Sequence, residues 1–389
     1  MMKSFLIIII FLLNLHVSHA QNFSNVEDLI NNAIRDNYFP GAQLLIANSK
    51  EVIYTGYFGK HEFNPNSINV SRETIYDLAS LTKVIATTTA IMILYDRKLI
   101  DLDEKVSYYL PEFSSDDKIN ITVKNLLLHN SGLKAWLPFY KTCKNKSDIY
   151  NTICSEKLDY TTGTKYVYSD LGFILLGLIA EKISQTSLDK FCEENIFAPI
   201  GMSYTMFNPN PPYQELAAPT ENDNYFRMKQ IKGVVHDESA YIMGGVSGNA
   251  GLFSNVQDLN LFMRMLVNKG YYTDERRMNA KNQTFELIQP GTIAFFSQLF
   301  STTGYDNSRA LGWDTYPKPN KYPSQCGTII SRNCIGHTGF TGTSIWYDFD
   351  KDIYIIFLTN RIYPDRNNPG IFNFRPLLHD EIFKTLGYN

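Results

Sequence analysis

The residues whose types and spacing could do chemistry begin with a serine and a lysine three positions apart. They stand in the segment Ser80-Leu81-Thr82-Lys83, at the start of an apolar stretch. On a helix, side chains three positions apart lie on the same side, so the hydroxyl and the amine can meet. A neutral amine can take the proton of a serine hydroxyl and make the oxygen a nucleophile. The spacing therefore predicts acyl transfer, with Ser80 as the nucleophile and Lys83 as its base.

A purely structural explanation accounts for Ser80 but not for Lys83. Serine is a common N-cap of a helix. A capping box, however, has Glu or Gln three residues further on, and a cation in the first turn opposes the helix dipole. We expect that dipole, together with burial, to lower the pKa of Lys83 and leave a neutral amine. Backbone N–H groups at the same helix start could donate hydrogen bonds to an oxyanion.

A second polar segment, Tyr168-Ser169-Asp170, precedes another apolar stretch that begins at Leu171. A tyrosine held near a lysine can relay a proton, although an ordinary half-buried aromatic side chain would explain Tyr168 as well. Asp170 fits two roles equally, as the N-cap of the following helix and as a residue of the site. The segment adds a candidate proton carrier to the serine and lysine pair.

Two histidines are further candidates. His337 lies between Gly336 and Gly342, in a glycine-bracketed polar segment directly before a strand-like run. Glycines there let another backbone or a ligand approach the strand closely, although a tight turn with an incidental histidine would give the same pattern. His236 lies in a polar loop, where it could rim a pocket or face solvent. Neither histidine defines a site by itself.

Strand patterns occur near both ends of the chain, and mostly helical patterns lie between them. Hairpins are predicted at residues 43–57 and 343–358, and terminal helices at residues 26–36 and 376–386. The simplest architecture is an α+β fold with an antiparallel sheet from both chain ends, flanked by helices. A large inserted lobe, mostly helical, completes it. Such a fold would bring the serine segment and the histidine segment to one cleft.

In this order, the motifs resemble those of the class C β-lactamase-like serine hydrolases. S-x-x-K opens a helix, Y-x-D stands where Y-x-N is usual, and H-T-G stands where K-T-G is usual. The runs ITVKNLLLHNSGL, LGWD and LTNR extend the resemblance over nearly the whole chain after its N-terminal segment. That family also includes penicillin-binding carboxypeptidases and esterases.

The resemblance implies a role for each motif. Ser80 would attack a carbonyl, and Lys83 and Tyr168 would share the general acid and base work. The backbone N–H groups of Ser80 and Phe340 would form the oxyanion hole. The residues expected to bind substrate are Asp170, His236, His337, Thr338 and Gly339. The substrate would be a small-molecule or peptide-like acyl compound, and no cofactor or metal is implied.

Two departures from the family pattern bear on the substrate. Asparagine would donate an N–H to a substrate amide carbonyl, whereas ionised Asp170 can only accept. His337 replaces a permanent cation with a group that titrates near neutrality, so a contact with a substrate carboxylate should strengthen as pH falls. These changes favour an ester or amide hydrolase slightly over a D-Ala-D-Ala carboxypeptidase or a β-lactamase. Two alternatives remain: a binding or sensor protein without turnover, and an α/β-hydrolase with Ser247 as nucleophile.

The composition is that of an ordinary globular protein. The chain has 389 residues, 44% of them hydrophobic, and can bury a sizeable core. We expect a hydrolase domain over residues 21–389, with a sheet lobe at 21–75 and 300–389 and a helical lobe at 76–299. The net charge of −3 and the pI near 6.2 give no basic surface, so nucleic acid is not an expected partner.

The N-terminus has the pattern of a secretory signal peptide. Lys3 is followed by an apolar run at residues 5–13 and by Ser18-His19-Ala20. Residues 1–20 are therefore predicted to be removed from a secreted or extracytoplasmic protein, with an uncleaved signal anchor as the alternative. No membrane span is expected after cleavage, because the later apolar runs are too short or contain charges.

The five cysteines suggest disulfides rather than a metal site, because no C-x-x-C or H-E-x-x-H spacing occurs. The predicted pairs are Cys143 with Cys154 and Cys326 with Cys334. Cys192 would remain as a buried free thiol.

Overall fold

The computed structural model describes residues 21–273, 283–300, 309–316 and 324–389. The predicted signal peptide at residues 1–20 therefore lies outside the described residues. The described residues contain thirteen strands, numbered in chain order: β1 (Gly41–Ala47), β2 (Val52–Gly59), β3 (Tyr76–Asp77), β4 (Met206–Phe207), β5 (Asn222–Asp223), β6 (Lys229–Gln230), β7 (Leu252–Ser254), β8 (Tyr271–Thr273), β9 (Thr284–Glu286), β10 (Asp314–Thr315), β11 (Cys334–Thr338), β12 (Ser344–Asp348) and β13 (Ile353–Thr359).

The same residues contain thirteen α-helices, again in chain order: α1 (Ser24–Arg35), α2 (Thr89–Asp96), α3 (Val106–Tyr109), α4 (Val123–Leu127), α5 (Lys146–Ser155), α6 (Asp170–Ser184), α7 (Leu188–Cys192), α8 (Ala198–Ile200), α9 (Pro211–Leu216), α10 (Glu238–Ile242), α11 (Val256–Val267), α12 (Pro290–Ser297) and α13 (Gly370–Thr385). Residues Lys83–Thr88 and Glu193–Phe197 form π-helical turns, and Phe139–Lys141 forms a 3₁₀ turn.

One six-stranded sheet joins the two ends of the chain. Its strand order is β10-β11-β12-β13-β1-β2, and every neighbouring pair is antiparallel. Leu44 of β1 pairs with Phe357 of β13 at the junction of the two ends. All residues of these two central strands are buried, because other elements pack on both faces. The predicted α+β fold, with both hairpins in one antiparallel sheet, is confirmed.

The terminal helices α1 and α13 contact each other and cover one face of the sheet. α13 begins at Gly370, ahead of its predicted start at Pro376. A proline inside a helix leaves the carbonyl four residues earlier without its N–H partner. Here Gln325 Nε2 donates to that carbonyl, Phe372 O, at 3.3 Å. The helix therefore continues through the proline.

The mostly helical insertion lies between β3 and β10, and its helix α11 packs against β1 and β13. Within the insertion, α6 contacts α2, α4 and the π-helical turn Lys83–Thr88. A π-helical turn is rare and often occurs at functional sites. Its contact with α6 brings the segment after Ser80 next to the start of α6, where the second polar motif lies.

Neither predicted disulfide is present, since all five cysteines are free. The Cys143 thiol lies 3.4 Å from Thr152 Oγ1, and the Cys154 thiol contacts Tyr150 instead. Cys326 and Cys334 lie within hydrogen-bonding contact of each other as thiols. Cys192 is a buried free thiol, as predicted.

In the described part of the chain, no single helix is long and apolar enough to cross a membrane. Among the described residues, one bent pair of helices, α6 with residues Leu188–Ile200, is together that long and apolar, with 74° between its halves.

Candidate active site

The loop that ends at Ser80 is held in a strained conformation. Ala79 has a φ of +46°, in the left-handed region that residues other than glycine rarely adopt. The carboxylate of Asp77 accepts hydrogen bonds from the N–H of Ala79 at 2.8 Å and from the N–H of His236 at 2.7 Å. Such strain costs about 1–3 kcal/mol and persists where the surrounding structure enforces it, often at active sites. The loop presents Ser80 to a cavity.

Lys83 lies beneath Ser80 and is completely buried. Its Nζ donates to Ser80 Oγ at 3.0 Å and to the carbonyl of Asn249 at 2.9 Å. It also forms an ion pair with Asp170, with 2.6 Å between Nζ and Oδ1. These contacts hold the amine at hydrogen-bonding distance from the serine hydroxyl.

The charge state of Lys83 differs from the expectation drawn from the sequence. Burial alone would lower the pKa of the ammonium. The charge of Asp170 and the neighbouring Tyr168 phenol raise it by more, so the pKa of Lys83 lies above its ordinary value. The predicted neutral amine is therefore wrong for the resting site, because the prediction did not include a carboxylate partner. Lys83 rests as an ammonium.

Asp170 belongs to the site and is not the cap of α6. The N-cap is Ser169, whose Oγ accepts the N–H of Gly172 at 3.3 Å. Asp170 is the first residue of the helix, and its N–H donates to the carbonyl of Ala135 at 2.8 Å. Its carboxylate is thereby free to pair with Lys83. Of the two roles that the sequence left open, the contacts support the second.

Tyr168 packs beside the amine of Lys83. Its ring centroid is 5.0 Å from Lys83 Nζ, and its buried hydroxyl has no hydrogen-bond partner among the described residues. The ring packs on His129 with 4.5 Å between centroids. His129 Nδ1 accepts the N–H of Ser169 at 2.9 Å and so positions the tyrosine segment. A buried hydroxyl without a partner is available for proton transfer.

His337 faces this group from β11. Its ring is buried, and Nδ1 lies 2.9 Å from the carbonyl of Thr338, so Nδ1 holds the proton and Nε2 is an acceptor. Burial, and after it the charges of Arg309 and Lys83, hold the pKa of His337 well below its ordinary value. The expectation that His337 becomes a cation near neutral pH is therefore wrong. It did not include the burial of the ring or these two neighbouring cations.

The backbone N–H groups of Ser80 and Phe340 are the two expected donors of an oxyanion hole. Neither N–H group donates to another described residue, and both residues line the same cavity. The loops that contain them are joined directly. Thr343 Oγ1 donates to the carbonyl of Leu78 at 3.0 Å, and Thr341 Oγ1 donates to the carbonyl of Asp77 at 2.7 Å. The relative position of the two donors is therefore set before a substrate binds.

Gly339 makes this approach of the two loops possible. A Cβ at position 339 would lie 2.5 Å from the Leu78 carbonyl oxygen, closer than carbon and oxygen can approach. Thr338 and Gly339 both border the cavity at the end of β11. A larger residue at position 339 would separate Phe340 from the nucleophile loop.

Eight of the nine predicted site residues line one cavity of about 510 Å³. They are Ser80, Tyr168, Asp170, His236, His337, Thr338, Gly339 and Phe340. The ninth, Lys83, lies beneath the cavity and reaches it through Ser80. The fold thus gathers residues from distant parts of the sequence at one place.

His236 is engaged by protein groups at the edge of the cavity. Its Nε2 lies 2.8 Å from Glu221 Oε2 and 3.2 Å from Arg366 Nη2. Its ring stacks on Phe340 with 5.8 Å between centroids. These contacts favour a supporting role beside Phe340 over the predicted direct contact with substrate.

Besides Asp170, seven charged residues line the cavity, and sequence reasoning gave none of them a role in the chemistry: Asp237, Glu238, Arg309, Asp314, Arg361, Arg366 and Arg375. Arg361 lies in the LTNR run, which was noted only as part of the family resemblance. Arg309 and Arg375 belong to no motif that was recognised. Arg309 forms an ion pair with Asp314 and lies against the ring of Tyr168. Burial, and after it the charge of Asp170, raise the pKa of Asp237 to about 6.

Ser247, the alternative nucleophile, does not line this cavity. It is buried, and its Oγ donates to Asn249 Oδ1 at 2.6 Å. An α/β-hydrolase would also need a mostly parallel sheet, whereas this sheet is antiparallel. The α/β-hydrolase alternative is therefore wrong.

The antiparallel sheet, its helical insertion and the contact of Ser80 with the buried Lys83 between them define a serine hydrolase of the β-lactamase fold. The sequence model of the Beta-lactamase family matches residues 26–374, and the chain belongs to this family.

Two curated relatives resemble the chain over most of their length. One is the N-acetylmuramyl-L-alanine amidase of Bacillus subtilis (strain 168), 33% identical over 375 residues, with 86% of this chain and 81% of the relative covered. Another, from Escherichia coli (strain K12), is provisionally named a D-alanyl-D-alanine carboxypeptidase. It is 31% identical over 372 residues, with 86% of this chain and 82% of the relative covered.

Solved structures show the same fold at lower identity. A class C β-lactamase matches with a TM-score of 0.72 at 20% identity, over 95% of this chain and 98% of its own. The hydrolase EstCE1, described as having promiscuous acyltransferase activity, matches with a TM-score of 0.68 at 20% identity, over 91% and 97%. The fold therefore occurs in proteins with different named activities.

Proposed function

We propose that this protein is an amidase that cleaves an acyl–amino acid bond through an acyl-enzyme on Ser80. The observation that supports the proposal most strongly is the contact between Ser80 Oγ and Lys83 Nζ at 3.0 Å, beside two backbone N–H groups that donate to no described residue. A nucleophile, a proton carrier and an oxyanion hole are the parts that acyl transfer requires. A binding protein without turnover would not need all three.

The first proton movement uses the pair of Lys83 and Asp170. As Ser80 Oγ bonds to the carbonyl carbon, Lys83 gives one proton to Asp170 and takes the proton of the hydroxyl. The carbonyl oxygen becomes an oxyanion, which the N–H groups of Ser80 and Phe340 stabilise. The lysine is an ammonium before and after the step, so the negative charge passes from the Asp170 carboxylate to the substrate oxygen.

The second proton movement releases the amine. The hydroxyl of Tyr168, which has no other partner in the described structure, donates its proton to the leaving nitrogen and recovers one from Lys83. Asp170 returns its proton to the lysine as the C–N bond breaks. Water then attacks the acyl-enzyme, and the same groups move its proton in the opposite direction. The site ends in its starting charge state.

Two features support an amide of an acyl group with an amino acid as the substrate class. The relative that is 33% identical is named an N-acetylmuramyl-L-alanine amidase. The cavity mouth also has exposed aromatic side chains, with Trp136 44%, Phe340 47% and Phe372 49% exposed, against which an acyl group can pack. We further propose an extracytoplasmic location, which the signal-peptide pattern of residues 1–20 supports.

A D-Ala-D-Ala carboxypeptidase is the second candidate, because such an enzyme needs a cation for the terminal carboxylate. His337 is neutral, but Arg309 lies beside it and lines the cavity. The ion pair of Arg309 with Asp314 reduces the charge available to a substrate. The amidase is the first proposal because the relative named for that activity is 33% identical, against 31% for the relative named a carboxypeptidase.

The test compares four substrates with the protein lacking residues 1–20 and with its Ser80→Ala variant. They are N-acetylmuramyl-L-alanine, diacetyl-L-Lys-D-Ala-D-Ala, p-nitrophenyl butyrate and a chromogenic cephalosporin. We expect L-alanine release to have the highest kcat/KM and the variant to release none. Faster release of D-alanine would replace the proposal with the second candidate. Equal rates for both proteins on every substrate would contradict the role of Ser80.

A further inference from the structure

Arg375, on α13, is a buried cation that the proposed chemistry does not use. Its side chain is 3% exposed. Nη2 donates to the carbonyls of Gly339 at 3.1 Å and Thr343 at 3.2 Å, and Nη1 donates to Gln325 Oε1 at 3.3 Å. All three acceptors are neutral. Within the described ranges, no carboxylate lies at ion-pair distance from Arg375.

A buried guanidinium without a carboxylate is costly for stability. Burial, and after it the like charge of Arg361, lower the pKa of Arg375 to about 9. A buried charge that lacks an opposite partner generally destabilises a fold, and an apolar residue of similar volume would serve packing better. Packing alone therefore does not explain an arginine at this position.

One acceptor of Arg375, the carbonyl of Gly339, lies next to the proposed oxyanion hole. The carbonyl of Gly339 and the N–H of Phe340 belong to the same planar peptide unit. A cation at the carbonyl oxygen draws electron density from the amide and makes its N–H a stronger hydrogen-bond donor. That N–H is one of the two proposed donors of the oxyanion hole. Arg375 thus acts on the oxyanion donor from behind, through one peptide bond.

Arg361 provides a comparison within the same loop. Its Nε donates to the carbonyl of Phe340 at 2.9 Å, and its guanidinium lies 4.5 Å from the Phe340 ring centroid. That carbonyl belongs to the next peptide unit, whose N–H comes from Thr341. Arg361 therefore restrains the loop, whereas Arg375 contacts the peptide unit that faces the oxyanion. The N–H of Gly342 also donates to the Gly339 carbonyl, at 3.1 Å, so Arg375 adds the charged donor to a carbonyl that already has a neutral one.

We propose that Arg375 is a positioning residue of the oxyanion hole, which holds and polarises the Gly339–Phe340 peptide unit for the transition state. The inference rests on the proposed function, since it assumes an oxyanion at Phe340. It predicts that Arg375 affects the transition state much more than the bound substrate.

The experiment compares Arg375→Lys, which keeps the charge, with Arg375→Gln, which keeps a donor without charge. We expect kcat for the best substrate to fall roughly 10- to 100-fold in Arg375→Gln, and less in Arg375→Lys, with KM nearly unchanged. The inhibition constant of phenylboronic acid, whose adduct with a serine resembles the tetrahedral intermediate, should rise by a similar factor. Gln325→Ala is the matched control, because it removes the remaining partner of Arg375 and leaves both carbonyl contacts intact. It also removes the contact of Gln325 with the Phe372 carbonyl of α13, so urea unfolding of each variant is measured beside its kinetics.

Three outcomes would overturn the inference. The first is an unchanged kcat in Arg375→Gln. The second is a rise of KM confined to anionic substrates, which would assign Arg375 to substrate binding. The third is a loss of kcat equal in Arg375→Lys and Arg375→Gln without any change in boronic acid affinity, which would indicate a structural effect. Wild-type protein without Ser80-dependent turnover would overturn the proposed function itself, so the two failures are distinguishable.

Discussion

The cleft has two walls. The helical wall is formed by Ser80, Lys83 and Asp170. The sheet wall is formed by His337 of β11 and Phe340 after it, together with Arg375, which reaches them from α13. On the helical wall, opposite charges lie 2.6 Å apart between Lys83 and Asp170. On the sheet wall, the imidazole is neutral and the buried arginine has only neutral acceptors among the described residues. The first wall is nearly neutral overall, and the second is positive.

The difference assigns a separate task to each wall. A compensated pair can exchange a proton over a short distance without leaving an isolated charge in the interior. An uncompensated cation behind a backbone N–H favours negative charge in front of it. Proton transfer therefore belongs to the helical wall and oxyanion stabilisation to the sheet wall. The predictions below test this division.

The largest expected effect comes from breaking the pair on the helical wall. Lys83→Met removes the proton carrier and leaves Asp170 without its cation, so kcat/KM should fall at least about 1,000-fold. Lys118→Met is the control, because Lys118 is also buried but contacts Ser115 and the Cys154 carbonyl away from the cavity. Its kcat/KM should stay within about twofold of the wild type. Similar losses in both variants would show that burial, and not the pair, is what matters.

A second substitution on the helical wall, at Asp170, should have a smaller effect on kcat/KM. Asp170→Asn removes the charge that raises the pKa of Lys83, so the lysine must then lose its proton to solvent before it can act as a base. We expect kcat/KM at pH 7 to fall about 10- to 100-fold and to rise again toward alkaline pH. Profiles of kcat/KM between pH 5.5 and 9.5 measure the difference. Superimposable profiles for the wild type and the variant would contradict the proton path through Asp170.

The neutral ring of the sheet wall has a consequence for stability. The pKa of His337 is well below its ordinary value in the folded state and about 6.5 in the unfolded state. The unfolded chain therefore binds a proton below pH 6.5 that the folded chain does not, and this ring's share of the stability is lost as pH falls. The free energy of unfolding should fall by up to about 1.4 kcal/mol per pH unit from this ring alone.

Urea unfolding of the wild type and of His337→Gln at pH 7.5, 6.5 and 5.5 measures that share. The variant should lose less stability on acidification than the wild type. Equal losses of unfolding free energy in the two proteins would show that folding does not lower the pKa of His337. The folded protein would then protonate this ring, and the sheet wall would have a titrating cation.

The smallest expected effect concerns the edge of the sheet wall. His236 contacts Glu221 and stacks on Phe340, so His236→Gln should change KM by less than about threefold. The KM and kcat of the best substrate measure the effect separately. A rise of KM above about tenfold with unchanged kcat would instead assign His236 to direct substrate binding.

The parts of the site that the sequence predicted are those set by local spacing. Ser80 and Lys83 are three positions apart on one helical turn, and the glycine next to Phe340 lies in a glycine-bracketed segment directly before a strand-like run. Both hairpins were also predicted, because strand and turn patterns act over a few residues. The family resemblance then placed Tyr168 and His337 opposite each other.

The parts that the sequence did not predict depend on partners far along the chain. The pKa of Lys83 is raised because Asp170 folds against it, and the sequence pattern around Lys83 contains no sign of that partner. Arg375 lies in the last helix, in a segment without any motif, and reaches Gly339 only through tertiary packing. His337 is neutral because its ring is buried and because Arg309 lies near it. Charge states follow from such contacts and not from local spacing.

The central claim is that Ser80 forms the acyl-enzyme between these two walls. The most direct measurement is intact-mass spectrometry with peptide mapping, on protein acid-quenched seconds after mixing with p-nitrophenyl butyrate. The account predicts an added butyryl group on the peptide that contains Ser80, and its absence in Ser80→Ala. A butyryl group on another residue, or release of p-nitrophenol at the wild-type rate by Ser80→Ala, would contradict it.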